Sequence, residues 1–286
     1  MEPVIVIAAK ISLAVAVFAI GLTTTTADVI YLLREPRKLA RALLTMFVIM
    51  PAVVAVLARS FELNPAVEIG LAALSVSPTP ALLPKKALKA SGHEGYAVSL
   101  MVVTSLLAIV WVPVSLEIFE RIFDAPLHMR ALPIAGLMVT SVLAPLGAGI
   151  LVRAVAPHFA RSAARPCATV AAIVLVVFVG AVLFAMFRPM RSLLGNGTLA
   201  AIVGFAVIGL GLGHLLGGPA AETRKVLALY AISRHPGIAI AIVQANFPDQ
   251  PLTLAAIVLA VIVTALVPLP YLLWAKPHET KAAAAE

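Results

Sequence analysis

Runs of mostly apolar residues, each about 20 long or longer, follow one another down this chain with only short linkers between them. Nine can be marked, at about residues 4–23, 39–60, 65–94, 95–119, 131–155, 164–187, 194–218, 221–247 and 252–275. A chain so built cannot bury all these faces in water. Its composition, 62% hydrophobic and 12% charged, is likewise above the apolar share of roughly 45–50% in soluble domains. Within a bilayer each segment must pair its own backbone groups, which makes these runs helices. The expectation is an all-α polytopic membrane protein of about nine transmembrane helices, surrounded by lipid. The start, Met1-Glu2-Pro3, lacks the basic flank of a cleaved signal, so the first run is read as a retained span.

Charge orients this layout. With the amino terminus outside, 14 of the 21 Lys and Arg residues fall on the inner side, five fall outside, and Lys10 and Arg234 lie within spans. The carboxyl terminus is then cytoplasmic and the cell (inner) membrane is the expected location. Orientation also accounts for the net charge of +8, with no nucleic acid needed as a partner. A single cysteine, Cys167, excludes an internal disulfide and a cysteine metal cluster. No cofactor and no metal site are expected.

Two segments are interrupted. The eighth runs from Glu222 to Phe247 and holds Ser233-Arg234-His235-Pro236-Gly237 at its centre, where the proline removes a donor and the glycine loosens the chain. A helix break with a permanent charge deep in a membrane is by default functional. The third carries Ser77-Pro78-Thr79-Pro80 and then Pro84; three prolines in seven residues cannot occupy a regular helix interior. A short helix is expected to restart at Pro84 and be capped by Gly92, with Lys85 and Lys89 on one face. Gly/Pro-interrupted segments at matching positions of two halves point to a secondary transporter's binding site. The halves are 1–124, four helices, and 125–286, five helices, expected to be inverted repeats in one membrane domain.

At these breaks the chain resembles the bile acid:sodium symporter superfamily, whose members carry organic anions through five-plus-five inverted repeats with crossing discontinuous helices. Ala19-Ile20-Gly21-Leu22-Thr23, a short amphipathic stretch and Arg34-Glu35-Pro36-Arg37 resemble that family's second helix, and Ile49-Met50-Pro51 its third. The resemblance runs from about Ile11 onward and implies that the family's first helix is missing. It also implies a core bundle, carrying both broken helices, that moves against a panel of the remaining spans.

The sodium-site residues depart from the family. Its pattern Glu-x-x-x-Gln-Asn-x-Gly, aligned on Gly237, meets Tyr230, Arg234 and His235 here. Its Pro-Gly-Gly followed by Ser-Asn, aligned on Pro78, meets Thr79-Pro80 and then Leu83-Pro84. Ser99 and Thr104 stand near the family's hydroxyl ligands. An unshielded guanidinium repels a sodium ion 4 Å away by about 4 kcal/mol at an effective dielectric near 20. The expected function is therefore transport of a small organic anion without sodium coupling, with Arg234 fixing a positive centre.

Around Arg234, the substrate-binding set is expected to include His235, Ser233, Ser77, Thr79 and Lys85. The hydroxyls either orient a carboxylate or satisfy the opened backbone. Lys85, Lys86 and Lys89 either line the inner mouth or only set orientation. The glycine run Gly209, Gly211, Gly213, Gly217 is expected to allow close helix packing. An anion channel is the alternative. An intramembrane enzyme is disfavoured, since no span presents a Ser-His pair, an acid pair or His-x-x-x-His on one face, and no catalytic residue is assigned.

Overall fold

The computed structural model describes residues 3–80, 94–123 and 129–274, and every element among them is helical. In chain order these are α1 (Pro3–Gly21), α2 (Thr26–Ile30, extended by a 3-10 turn at Tyr31–Arg34), α3 (Pro36–Ser60), α4 (Pro65–Val76), α5 (Glu94–Phe123) and α6 (Ala131–Val155). They continue with α7 (Pro157–Ser192), α8 (Thr198–Leu216), α9 (Ala221–Ile232), α10 (Pro236–Asn246) and α11 (Leu252–Trp274). Seven helices among the described residues are long and apolar enough to cross a membrane, counting α9 with α10 as one; a bent pair of 101°, α1 with α2, brings the number to eight. The third apolar segment contributes the 12-residue α4. The expected restart at Pro84, the cap at Gly92 and Lys85 lie outside the described residues. This is an integral membrane protein.

Breaks and bends follow from local chemistry. Thr25 and Asp28 form a capping box at the start of α2, so the chain turns sharply after Gly21 instead of running on. Within α3 the register slips to a π-turn at Leu44–Ile49, just before Pro51; a second lies in α6 at Val139–Leu143, just before Pro145. In both places a helix approaches a residue that has no N–H to give.

The interior divides into two main apolar layers. One joins Val17, Met46, Phe47, Tyr96, Met101, Val142, Val226 and Tyr230. The other joins Met50, Leu71, Ala108, Met138, Phe205, Ile238 and Ile257. Helices α3, α5 and α6 each pass from one layer to the other within a few residues, and α9 belongs to the first while α10 belongs to the second. Where the layers meet, the buried side chains are polar: Thr45, Ser77, Thr79, Thr104, Ser105, Arg234 and His235.

Close helix crossings frame this interior. Gly21 of α1 and Gly149 of α6 meet with no side chain between them; a Cβ on Gly149 would lie 2.8 Å from the Gly21 Cα and would overlap the Phe18 carbonyl. Arg153 of α6 donates to the Thr23 carbonyl just past the same crossing. Between α8 and α9, Gly213 sits against the Ala228 backbone and Gly217 against that of Arg224, as the glycine run implied; Gly209 meets Ile232 and Met50. Gly211 departs from that expectation, with nothing within 4 Å of the place a Cβ would take.

Helix α7 lies apart in character. It runs for 36 residues, packs against α1, α6 and α11, and buries only Ala160, Ala171 and Met190. Val176, Val177, Phe184 and Phe187 are exposed, as suits a helix facing lipid. Ser12 of α1 donates to the Ala171 carbonyl at 2.7 Å, which fixes the pair in register.

Candidate functional site

Helix α4 stops at Val76 because Pro78 and Pro80 cannot donate, and the last carbonyls of a helix then need partners from elsewhere. Helix α9 stops at Ile232 because Pro236 drives the preceding residue out of the helical region; His235 is extended, at φ −75° and ψ 104°. Pro236 then opens α10 at a position that needs no N–H. The two breaks meet. The His235 N–H donates to the Pro78 carbonyl at 2.7 Å.

Arg234 closes the junction. Its side chain is 4% exposed, with Nη1 donating to the Ser77 carbonyl at 3.2 Å and Nη2 to the Met46 carbonyl at 2.9 Å. The second acceptor exists because of the π-turn. The Met50 N–H is taken by the Thr45 carbonyl, and the next residue, Pro51, has no N–H, so Met46 is left without a helical donor. One planar guanidinium therefore ties α3, α4 and the α9–α10 break together, facing the carbonyl end of α4, where the helix dipole favours a cation. Its Nε is buried and unpartnered among the described residues, and no carboxylate there pairs with it.

The other expected contacts divide. The Thr79 hydroxyl meets that of Thr104 across to α5 at 2.9 Å, both fully buried. The Ser77 hydroxyl turns back onto its own helix at the Ala73 carbonyl, 2.7 Å away, so at this residue the carbonyl rather than the hydroxyl serves the junction. Ser99 is drawn away from the junction, where its Oγ accepts the Leu32 N–H at 2.9 Å. Ser233 is half-buried in the break. His235 is 4% exposed, and neither ring nitrogen has a partner among the described residues. The Tyr230 hydroxyl, at the family's acid position, donates to the Ala97 carbonyl at 2.7 Å and so pins α9 to α5. Lys225, counted with the linker charges, is buried at the start of α9.

A profile of the Sodium Bile acid symporter family matches residues 10–190, more than half of the chain. The chain belongs to that family. The matched stretch contains the later part of α1, α2 to α6 and most of α7, and ends before the break that holds Arg234. An "Uncharacterized sodium-dependent transporter YocS" of Bacillus subtilis (strain 168) is 25% identical over 244 residues, which cover 83% of this chain and 74% of that one. At the junction of the two breaks a guanidinium faces the carbonyl end of α4.

The origin of the Met46 acceptor gives a prediction with two opposed signs. Pro51→Ala supplies an N–H that the Met46 carbonyl can take, so thermal stability of the purified protein is expected to hold or rise. Solute uptake is expected to fall several-fold as Arg234 loses one anchor. Uptake and unfolding temperature measured on the same preparation check both.

Proposed function

We propose that this protein is a secondary transporter of small organic anions in which Arg234 permanently supplies the positive charge that a sodium ion brings in relatives, leaving uptake uncoupled from sodium. The observation that carries this reading is the buried guanidinium at the crossing, held by two carbonyls and matched by no carboxylate among the described residues. A buried charge without a counter-charge is costly, and an anionic solute provides one. Sodium dependence is in the name of YocS. Here the family's acid, glutamine and asparagine positions hold Tyr230, Arg234 and His235, so carboxylate and amide oxygens are absent from them.

The frame for this activity is the inner membrane, with the amino terminus outside and the carboxyl terminus cytoplasmic, and halves 1–124 and 125–286 as inverted repeats. The bundle that carries both breaks moves against a panel of the remaining helices. The tied junction suits such a body, since the Arg234 side chain bonds main-chain carbonyls of Met46 and Ser77 and the His235 N–H bonds that of Pro78, joining α3 and the end of α4 to the α9–α10 break.

The test is uptake of labelled carboxylates and sulfonates into proteoliposomes, with sodium and potassium media exchanged. Uptake of at least one anion at equal rates in both media is the expected result. A signal that follows the sodium gradient overturns the coupling claim.

A further inference from the structure

We propose that His235 binds a proton together with the anion, making the junction a joint proton and anion site; the proposal rests on the anion reading above. The imidazole is 96% buried with both nitrogens unpartnered among the described residues. Its backbone is fixed by Pro236 on one side and by the bond to Pro78 on the other. The ring is turned over the first turn of α10, with Cε1 and Nδ1 3.0 and 3.2 Å from where a Cβ on Gly237 would be. Helix α10, 11 residues long, starts just beyond the ring with no side-chain cap, so the N–H groups of its first turn after Pro236 lack a side-chain acceptor.

An anion resolves both features at once. A neutral imidazole has one donor and one acceptor, and leaving either unpaired in the interior costs roughly 1–3 kcal/mol. An oxyanion accepts from the donor nitrogen and from the α10 amides, but it cannot satisfy the acceptor nitrogen. A proton on that nitrogen makes it a second donor. In an empty site such a proton is opposed by Arg234 and by the positive end of α10. With an anion present the opposition is cancelled. By reciprocity, each ligand raises the affinity for the other.

Among the described residues, the elements packed around the ring leave this coupling to Arg234. Helix α4 carries only Glu68, in its first turn, and α6 only Arg153, in its last. Helix α11 carries Tyr271, whose hydroxyl meets His214, and α9 carries Glu222, Arg224 and Lys225 in its first turns and then Tyr230, committed to Ala97. Helix α5 has Glu94 and Tyr96 at its start and its remaining charges from Glu117 onward. The proton comes from water on the side where the anion enters, forms an N–H bond on the ring, and returns to water when the anion leaves. A monovalent anion and one proton then move no net charge.

The experiment uses the full chain in sodium-free proteoliposomes, with labelled methanesulfonate and benzenesulfonate, which stay ionised and carry no proton of their own. An outside more acidic by one pH unit is expected to accumulate the sulfonate about tenfold. An imposed membrane potential should leave that ratio unchanged. His235→Gln, and separately His235→Asn, which cannot be protonated, are expected to lose the accumulation, with unfolding curves showing that they are folded.

Wild-type uptake that responds to potential but not to the pH gradient overturns the proton site and leaves the anion reading standing. Full pH-driven accumulation in a folded His235→Gln protein also overturns it. Absence of transport for every anion under every gradient overturns both readings. If neither variant folds, the wild-type measurements decide alone.

Discussion

Arg234→Met is expected to reduce anion uptake by about 100-fold or more and to lower the unfolding temperature of the purified protein. Hydrogen bonds from a charged group are worth roughly 1.5–3 kcal/mol each, and the arginine makes two, to Ser77 and Met46. Their loss leaves two buried carbonyls without these donors, and it removes the charge that an anion would meet. Arg234→Lys is expected to be impaired as well, though less severely. An ammonium keeps the charge, but it cannot span acceptors on α3 and α4 with a flat fork. Uptake at the wild-type rate in Arg234→Met would remove this residue from the mechanism.

The second large effect concerns packing rather than chemistry. Gly149→Val is expected to cost about 3 kcal/mol or more, read as a lower unfolding temperature and a smaller folded yield. A side chain there would enter the space of the Phe18 carbonyl and the Gly21 Cα, both backbone atoms that cannot rotate aside. The helices α1 and α6 would have to separate. Gly211→Ala is the matched comparison, because the site is open and alanine is the better helix former by roughly 0.5–1 kcal/mol. That variant is expected to be as stable as the wild type or slightly more so. Equal stability for the two variants would mean that the α1–α6 crossing is looser than the backbone contact implies.

The residues that stop helices were readable in the chain because their effect is local. Pro78, Pro80 and Pro236 act through their own missing N–H and their own ring, so the two breaks could be placed before any tertiary contact was known. A charge at position 234 between two apolar half-segments was equally visible. The partners of Arg234 were not. The Met46 carbonyl lies 188 residues away, and it is available only because a π-turn spends the Met50 N–H on Thr45 just before a proline. Pro51 was the signal that could have pointed near there, since a proline inside a helix frees a carbonyl one turn earlier, which is Phe47 in a regular α-helix and Met46 where a π-turn adds a residue. Ser77 shows the opposite case: its side chain drew attention, while its main chain does the binding. The glycine run was right about Gly213 and Gly217 and wrong about Gly211, because spacing along one helix does not say which face the neighbour takes.

Helix α7 carries a pair of arginines near each end, Arg161 with Arg165 and Arg188 with Arg191. Between Arg165 and Arg188 the helix rises by about 35 Å, somewhat more than the roughly 30 Å of a typical hydrocarbon layer. Guanidinium groups seek phosphates, so the two pairs act as the fixed marks of a ruler laid across the bilayer. In a sheet of thinner lipids the ruler must lean, and α1, tied to it through Ser12, leans with it. A membrane of shorter acyl chains is then expected to tilt the pair or to thicken around it.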